Sequence, residues 1–425
     1  MEQKMLDHLF RHHYGKMVSV LIRIFGLRHL ETIEDAIQDT FIKAMSAWRV
    51  QKPDNPEAWL TAAAKNRVLD IFRKLKAEKQ RIPNVTTGTQ AIAINDLFLD
   101  TEIEDSVLRM IFTACHPKLS ATDRIAFALK TISGFTTKEI ASAVLTKEDT
   151  IKKRLSRARK VISRENITFE IPLGEELVER LDSVHEVLYL IFNEGFHSNR
   201  TDILVRKELC GEAMRLCKMV LKNKKTRNDD GYALFALMCF HAARLDSKMN
   251  DKGEIIDLPN QDRSLWYFPL IRLGNEAMNQ AVINNCFSHY HYEASIAAEH
   301  LKAPSFETTN WRSILKWYRQ MYQLRPDPMT ALNMALVHLQ LGELQAAEAL
   351  FRKIEPASLE QRSYLYYGTM AEYYLMRNEI KQALSCLELA LGTVKNESEK
   401  QYLFQKKEKI KQQLNDGGKA RSEGS

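Results

Sequence analysis

The sequence has no run of about 18 apolar residues, the length a bilayer-crossing helix needs, so no membrane association is expected. Its first residues, MEQKMLDHLFRHHYGK, lack the charged-then-apolar layout of a secretory signal. Six cysteines, at positions 115, 210, 217, 239, 286 and 386, are scattered without a CxxC pair or a regular framework, which points to reduced thiols in a cytosolic protein. No GxxxxGK[ST], GxGxxG or GxSxG occurs, so nucleotide binding and acyl-transfer chemistry have no support. Strand-like alternation is nearly missing, apart from a short pair around GEIIDL (253–258).

What is present is helical periodicity over 425 residues, enough for two to four domains. Apolar residues make up 45%, ample for real cores. Charge is sorted along the chain. Residues 1–165 carry 28 Lys+Arg against 20 Asp+Glu, a net of +8, whereas the remaining residues carry 33 against 34, a net of −1. A basic segment joined to a neutral one suggests a nucleic-acid-binding part attached to a part with another task.

Four segments follow. Residues 1–78 form a block of amphipathic helices. Residues 79–105 read as a linker, basic at its start, Thr/Gly-rich in its centre, and holding five acidic and no basic residues from Asn95 to Asp105. A compact block spans 106–165, and a helical remainder starts near Glu175. In the compact block Ser120-x-x-Asp123, Thr136-x-x-Glu139 and Thr146-x-x-Asp149 each have the pattern of a capping box, and Gly134 stops the helix that starts after Ser120. The order is a helix, a short helix from Thr137 to Val144, a tight turn, and a longer helix from Lys147: helix-turn-helix order and length.

That last helix contains DTIKKRLSRARKVI (149–162). Ile151, Leu155, Ala158 and Ile162 form its buried stripe, while Lys153, Ser156, Arg157 and Lys160 face the other way. In a major groove Lys147, Glu148, Thr150 and Lys153 would lie near base edges. Lys152 and Arg154 flank them, and Arg154, Arg157, Arg159 and Lys160 would mostly hold phosphates. The first block has IEDAIQDTFIKAMSAW (33–48) and NPEAWLTAAAKNRVLDIFRKLK (55–76). From Lys65 to Arg81 there are seven basic and two acidic residues, with Trp48, Trp59 and Phe72 nearby. Cations that track a backbone beside rings that stack on bases suit single-stranded DNA, although apolar spacing alone also explains the rings as core.

These three motifs together resemble the second and fourth conserved regions of extracytoplasmic-function-type bacterial sigma factors, in order and spacing. The resemblance implies an all-α chain: two small helical sigma domains, a region 2 bundle and a region 4 helix-turn-helix, joined by a linker. It implies binding to core RNA polymerase through the clamp helices of its largest subunit, by Asp35, Gln38, Asp39 and Phe41. It implies capture of the melted −10 element by Arg49, Lys52, Asn55, Asn66, Arg67, Asp70, Arg73 and Lys74, and duplex reading of the −35 element by the helix-turn-helix. Catalysis, cofactor and metal are not expected; the phosphodiester chemistry belongs to the polymerase.

Past the compact block, Ala335, Gly342, Ala347 and Phe351 stand at tetratricopeptide spacing, repeated by Ala371, Ala383, Leu387 and Ala390 with Asn378 in the glycine position. Residues 310–328 supply a helix of a degenerate third repeat. The expectation is a C-terminal α-solenoid-like domain over 175–425, clearest at 328–391, able to hold a protein or peptide partner. VLYLIFNEGF (187–196), GYALFALMCFHAARLD (231–246) and NQDRSLW (260–266) resemble the marks of a sigma subgroup with a large tetratricopeptide-like extension, which implies a regulatory role for it. Glu194 with His197, and His289, His291, Glu293 and His300, do not supply three converging ligands by spacing. Lys248 replaces the first carboxylate that a calcium loop at 246–257 would need. Asp262 and Arg263 near Trp266 suggest a buried ion pair. The alternatives are a helix-turn-helix regulator with an effector-binding solenoid, and a repeat scaffold that binds nucleic acid incidentally.

Overall fold

The computed structural model describes residues 2–48, 53–54, 56–79, 100–144, 146–196, 207–250 and 254–422. Among these the chain is helical throughout, and the expected GEIIDL pair is reduced to one antiparallel bridge, Met249 with Ile255. It divides into two units, Met1–Ile191 and Phe192–Ser425. No described helix is long and apolar enough to cross a membrane.

The first unit begins with α1 (Glu2–Phe25), α2 (Leu30–Ala47) and α3 (Pro56–Lys79). Gly26, at φ 92°, ends α1 where a side chain would be strained. Pro56 opens α3, where its missing N–H costs nothing. Ile33, Ile37, Phe41 and Ala44 recur every three or four residues along α2, and all are buried, as are Val18, Leu21 and Ile22 of α1 and Leu60 of α3, the two helices that pack on α2.

The same unit continues with α4 (Asp100–Ala114), α5 (Ala121–Thr131), α6 (Thr137–Ala143), α7 (Glu148–Arg164) and α8 (Glu175–Phe196). The expected linker is thus helical at its far end, since α4 starts at Asp100; residues 80–99 lie outside those described. Ser120 caps α5, its hydroxyl accepting from the Asp123 N–H at 3.3 Å. After Gly134, at φ 68°, the Phe135 N–H returns to the Leu129 carbonyl at 3.0 Å and closes the end of α5. Most of α8, with which the sequence begins the C-terminal extension, packs with this unit. The buried Arg180 donates to the Phe112 carbonyl at 2.8 Å, Arg124 meets Glu186 at 3.0 Å, and Ser183 donates to the Cys115 carbonyl.

In the second unit come α9 (Lys207–Lys222), α10 (Asp229–Ala242), α11 (Phe268–Ala281), α12 (His289–Lys302) and α13 (Trp311–Leu324). After them come α14 (Pro328–Gln340), α15 (Leu344–Phe351), α16 (Ser363–Met376), α17 (Ile380–Thr393) and α18 (Glu397–Ser422). Helix α10 is buried on nearly every side, which its almost unbroken apolar sequence requires. Gly274 of α11 lets it approach, because a Cβ there would lie 2.5 Å from the Phe240 ring. The later helices form pairs, α14 with α15 and α16 with α17, each joined by a short turn. Ala335, Ala347, Ala371, Ala383, Leu387 and Ala390 are completely buried in them, and Phe351 nearly so. Gly342 (φ 74°) and Asn378 (φ 62°) occupy the matching left-handed turn positions, so asparagine does replace glycine in kind. Ile314 of α13 packs with Met334 and Val337 of α14, which places 310–328 in the array.

Asp262 and Arg263 do not pair. Asp262 accepts from the Ser264 N–H at 2.9 Å, while Arg263 lies 4.4 Å over the Trp266 ring and donates to the His300 carbonyl at 2.9 Å. Neighbouring residues in a tight turn point apart, and these satisfy different groups. Lys248, in the loop set aside as a calcium site, is buried: its ammonium donates to the Phe196 carbonyl at 2.8 Å and sits 3.5 Å over that residue's ring. All six cysteines are free thiols. Burial pushes the thiols of Cys115, Cys210 and Cys239 up to about 12 and that of Cys217 higher still.

Candidate nucleic-acid interface

Helix α6 is held by a complete capping box. The Glu139 N–H donates to the Thr136 hydroxyl oxygen at 3.1 Å, and the Thr136 N–H donates to the Glu139 carboxylate at 2.8 Å. The third expected box is absent. Lys147 stands at the N-cap of α7 without a side-chain bond, so Thr146 and Asp149 are one residue out of register. The hydroxyl of Thr137 performs the joining role, donating to the Glu148 carboxylate at 2.8 Å across the turn. That bond, with Lys152 at 3.3 Å, holds the Glu148 carboxyl below the usual carboxylate range.

Ile151, Leu155, Ala158 and Ile162 are all buried, as their spacing predicts. On the opposite face Lys147, Lys152, Lys153 and Lys160 are exposed, and Thr150 and Arg154 are half-buried. Lys147, Lys153, Arg154 and Lys160 have no carboxylate partner among the described residues. Arg157 is different: its guanidinium donates at 2.8 Å to Asp123, a buried carboxylate on α5, and its own side chain remains 61% exposed. Arg159, expected at phosphates, instead bridges to α2, reaching Glu31 at 3.0 Å and Glu34 at 2.7 Å.

The second candidate set is on α2 and α3. Asn66, Asp70 and Arg73 are exposed, and Arg73 lies 3.3 Å from Asp70. Arg67 donates to Asp39 at 2.9 Å, which ties the strand-capture set to the polymerase set. Arg49, Lys52 and Asn55 lie outside the described residues, as does the side chain of Lys74. Trp48 is buried and meets Trp59 edge-on at 5.6 Å, so Trp48 serves the core. Of the expected polymerase contacts, Asp35 is exposed, and Gln38 and Asp39 are half-buried. Phe41 corrects the expectation. At 5% exposure it is a core residue on the buried stripe of α2, with no face to offer a partner.

Sequence reasoning missed Asp123, Asp39 and the Thr137–Glu148 bond as positioning groups, and missed Glu34. No local spacing marks Glu34 as a partner for a helix more than a hundred residues away. Of the histidine candidates, His291 serves structure: it accepts from the Ser288 N–H at 3.0 Å, and its other nitrogen lies 3.0 Å from the Ala281 carbonyl. Among the described residues no group of three or more His, Cys, Asp or Glu is placed to hold a metal; His197 lies outside them.

Comparison with known proteins gives three family matches. Residues 9–78 match Sigma-70 region 2, residues 109–162 match Sigma-70 region 4, and residues 180–282 match a family of unknown function, DUF6596. An uncharacterized protein of Rhizobium meliloti is 29% identical over 91% of both chains. The ECF RNA polymerase sigma factor SigE of Mycolicibacterium smegmatis is 26% identical over 36% of this chain and 58% of its own. The ferric citrate uptake sigma factor FecI of Escherichia coli is 25% identical over 36% of this chain and 85% of its own. No solved structure matches. The chain thus carries Sigma-70 region 2 and region 4 domains, followed by a C-terminal helical domain.

Proposed function

We propose that this chain is an alternative sigma factor of the extracytoplasmic-function type, acting in the bacterial cytoplasm. It brings core RNA polymerase to chosen promoters and performs no catalysis of its own. The observation that carries this reading is the α7 face on which Lys147, Lys153 and Lys160 stand exposed without carboxylate partners, behind a fully capped α6. A solvated structural helix has no need to leave these three lysines unpaired beside acidic residues that could neutralise them. A duplex groove does, because each phosphate neutralised releases a counterion.

Region 4 reads the −35 duplex through the first turns of α7, with Arg154 and Lys160 on phosphates. Arg157, held by Asp123, is aimed before DNA arrives, which lowers the ordering cost of contact. In region 2 the exposed Asn66, Asp70 and Arg73 serve the melted −10 strand, and Asp35 and Gln38 face the clamp helices of the polymerase. Capturing unstacked bases offsets the few kcal/mol that opening each step costs. The paired helices from 328 to 393 act as a tetratricopeptide-like groove for an extended peptide or partner helix, through which sigma activity is regulated; their matched turns at Gly342 and Asn378 support that reading.

Run-off transcription with purified core polymerase tests the proposal. Promoter-dependent transcripts that disappear when this chain is omitted are expected. Sequence-specific duplex binding without transcripts would replace it with a helix-turn-helix regulator that is no polymerase subunit.

A further inference from the structure

Three stretches whose residues have no part in promoter reading, VLYLIFNEGF (187–196), GYALFALMCFHAARLD (231–246) and NQDRSLW (260–266), send side chains to one place in the second unit. Two aromatic rings organise it. Arg263 and Arg244 lie 4.4 and 5.9 Å over the ring of Trp266. The Lys248 ammonium lies 3.5 Å over the ring of Phe196, and the His241 ring is 4.6 Å from the same ring. Arg263 reaches the His300 backbone carbonyl at 2.9 Å, which adds α12 to the group.

These charges act on one another. Burial and then Arg244 lower Lys248 to about 7 and His241 to about 3, and burial and then Arg263 lower Arg244 to about 10. Arg244 is 9% exposed and Lys248 6%. Neither they nor Arg263 have a carboxylate at ion-pair distance among the described residues; Glu399 and Glu307 reach Lys248 and Arg263 only as more distant charges. The Nη2 atom of Arg263 is buried without an acceptor, and the Nδ1 atoms of His241 and His300 are buried without a partner.

The cations are nevertheless held in a built frame. Arg244 Nε donates to Gln261 Oε1 at 3.2 Å, the Ser247 hydroxyl donates to that same oxygen at 3.3 Å, and the Trp266 indole N–H donates to the Ser247 hydroxyl at 3.0 Å. Ser247, Gln261 and Trp266 are themselves buried. His241, Arg263 and His300 are only half-buried, so the cluster reaches the surface through them. Burying positive groups with neutral neighbours alone weakens a fold. Cations that cost stability and are yet fixed by hydrogen bonds have the character of a site for a negative ligand.

We propose that Arg244, Lys248 and Arg263 form a binding site for a phosphoryl group, with His241 and His300 as N–H donors at its open side. Guanidinium forks pair bidentately with oxyanions. A phosphoryl group brings about −1.5 to −2 charges at pH 7 and three strong acceptor oxygens, whereas one carboxylate brings a single charge to three cations. The site is independent of the sigma reading.

The test is hydrogen exchange of the full chain at pH 7 with inorganic phosphate, at ionic strength held constant with chloride. Exchange of α10 and of residues 254–266 is expected to slow by at least about tenfold at about 10 mM phosphate, as ligand binding to the folded state requires. Lys248→Met keeps the unbranched stem and sheds the buried charge, so it retains the fold, and it should lose most of that slowing. Arg263→Gln should lose it too; should that variant lose helical content, Lys248→Met decides. Glycerol phosphate distinguishes the source: slowing beyond that by phosphate assigns the phosphoryl group of a larger molecule, and equal or lesser slowing assigns free phosphate. No slowing in the parent, slowing confined to α7, slowing kept in full by Lys248→Met, or equal slowing by succinate would each overturn the proposal.

Discussion

Replacing Lys248 with methionine should stabilise the second unit, and by an amount that depends on pH. The ammonium is 6% exposed and has one carbonyl acceptor and one aromatic face, with no carboxylate at ion-pair distance among the described residues. Burial and the neighbouring Arg244 lower its pKa from 10.5 to about 7, against opposing pulls from Cys210 and Glu399. The folded state therefore holds fewer protons than the unfolded state between about pH 7 and 10.5. Its stability rises with pH across that window, by about 1.4 kcal/mol per unit. Below pH 7 the whole burden is present, up to about 5 kcal/mol. Methionine keeps the unbranched stem and removes the charge. Hydrogen exchange of α10 peptides, compared between parent and variant at each pH so that intrinsic rates cancel, reads the difference. Protection in the variant should exceed the parent most at pH 6, and the ratio should shrink by up to about tenfold per pH unit from 7 to 9. A ratio that stays flat from pH 6 to 9 would refute the assignment of a strained buried charge.

Two further outcomes are expected. Lys153→Glu should abolish preference for −35-containing duplex and lower the salt dependence of DNA binding by about one to two ions, measured by fluorescence anisotropy, with polymerase binding unchanged. A chain ending at Ile191 should keep region 4 as stable as in the whole protein, whereas one ending at Gly174 loses Arg180 and Ser183 from the α4 terminus. The second should unfold at least about 1–3 kcal/mol more easily in urea, because the Phe112 and Cys115 carbonyls lose their donors; equal stability would remove the case for counting α8 with the first unit.

Much of this was legible because it is local. Spacing alone buried Ile151, Leu155, Ala158 and Ile162, and Thr136 with Glu139 announced the start of α6. Phe41 shows a conflict that could have been settled from the sequence. Resemblance put it on a binding surface, yet it continues the series Ile33, Ile37 and Ala44, and the helical period prevails because burying a phenylalanine is worth a few kcal/mol. The failed box at Thr146 is a boundary error of one residue, the scale at which cap patterns are ambiguous. Arg159 was not legible at all. Its partners lie 125 and 128 positions away, and only the docking of two domains brings them together.

The sealed cysteines have a practical consequence. A thiol held near 12 is ionised at neutral pH in only about one molecule in 10⁵, so Cys115, Cys210 and Cys239 are nearly inert towards peroxide or maleimide, and Cys217 more so. Cys286, in the open, reacts at once, and the partly covered Cys386 follows. The slow thiols then become built-in reporters: each alkylation records a moment when its own stretch of interior came apart, Cys115 timing the first unit and the other three timing the second.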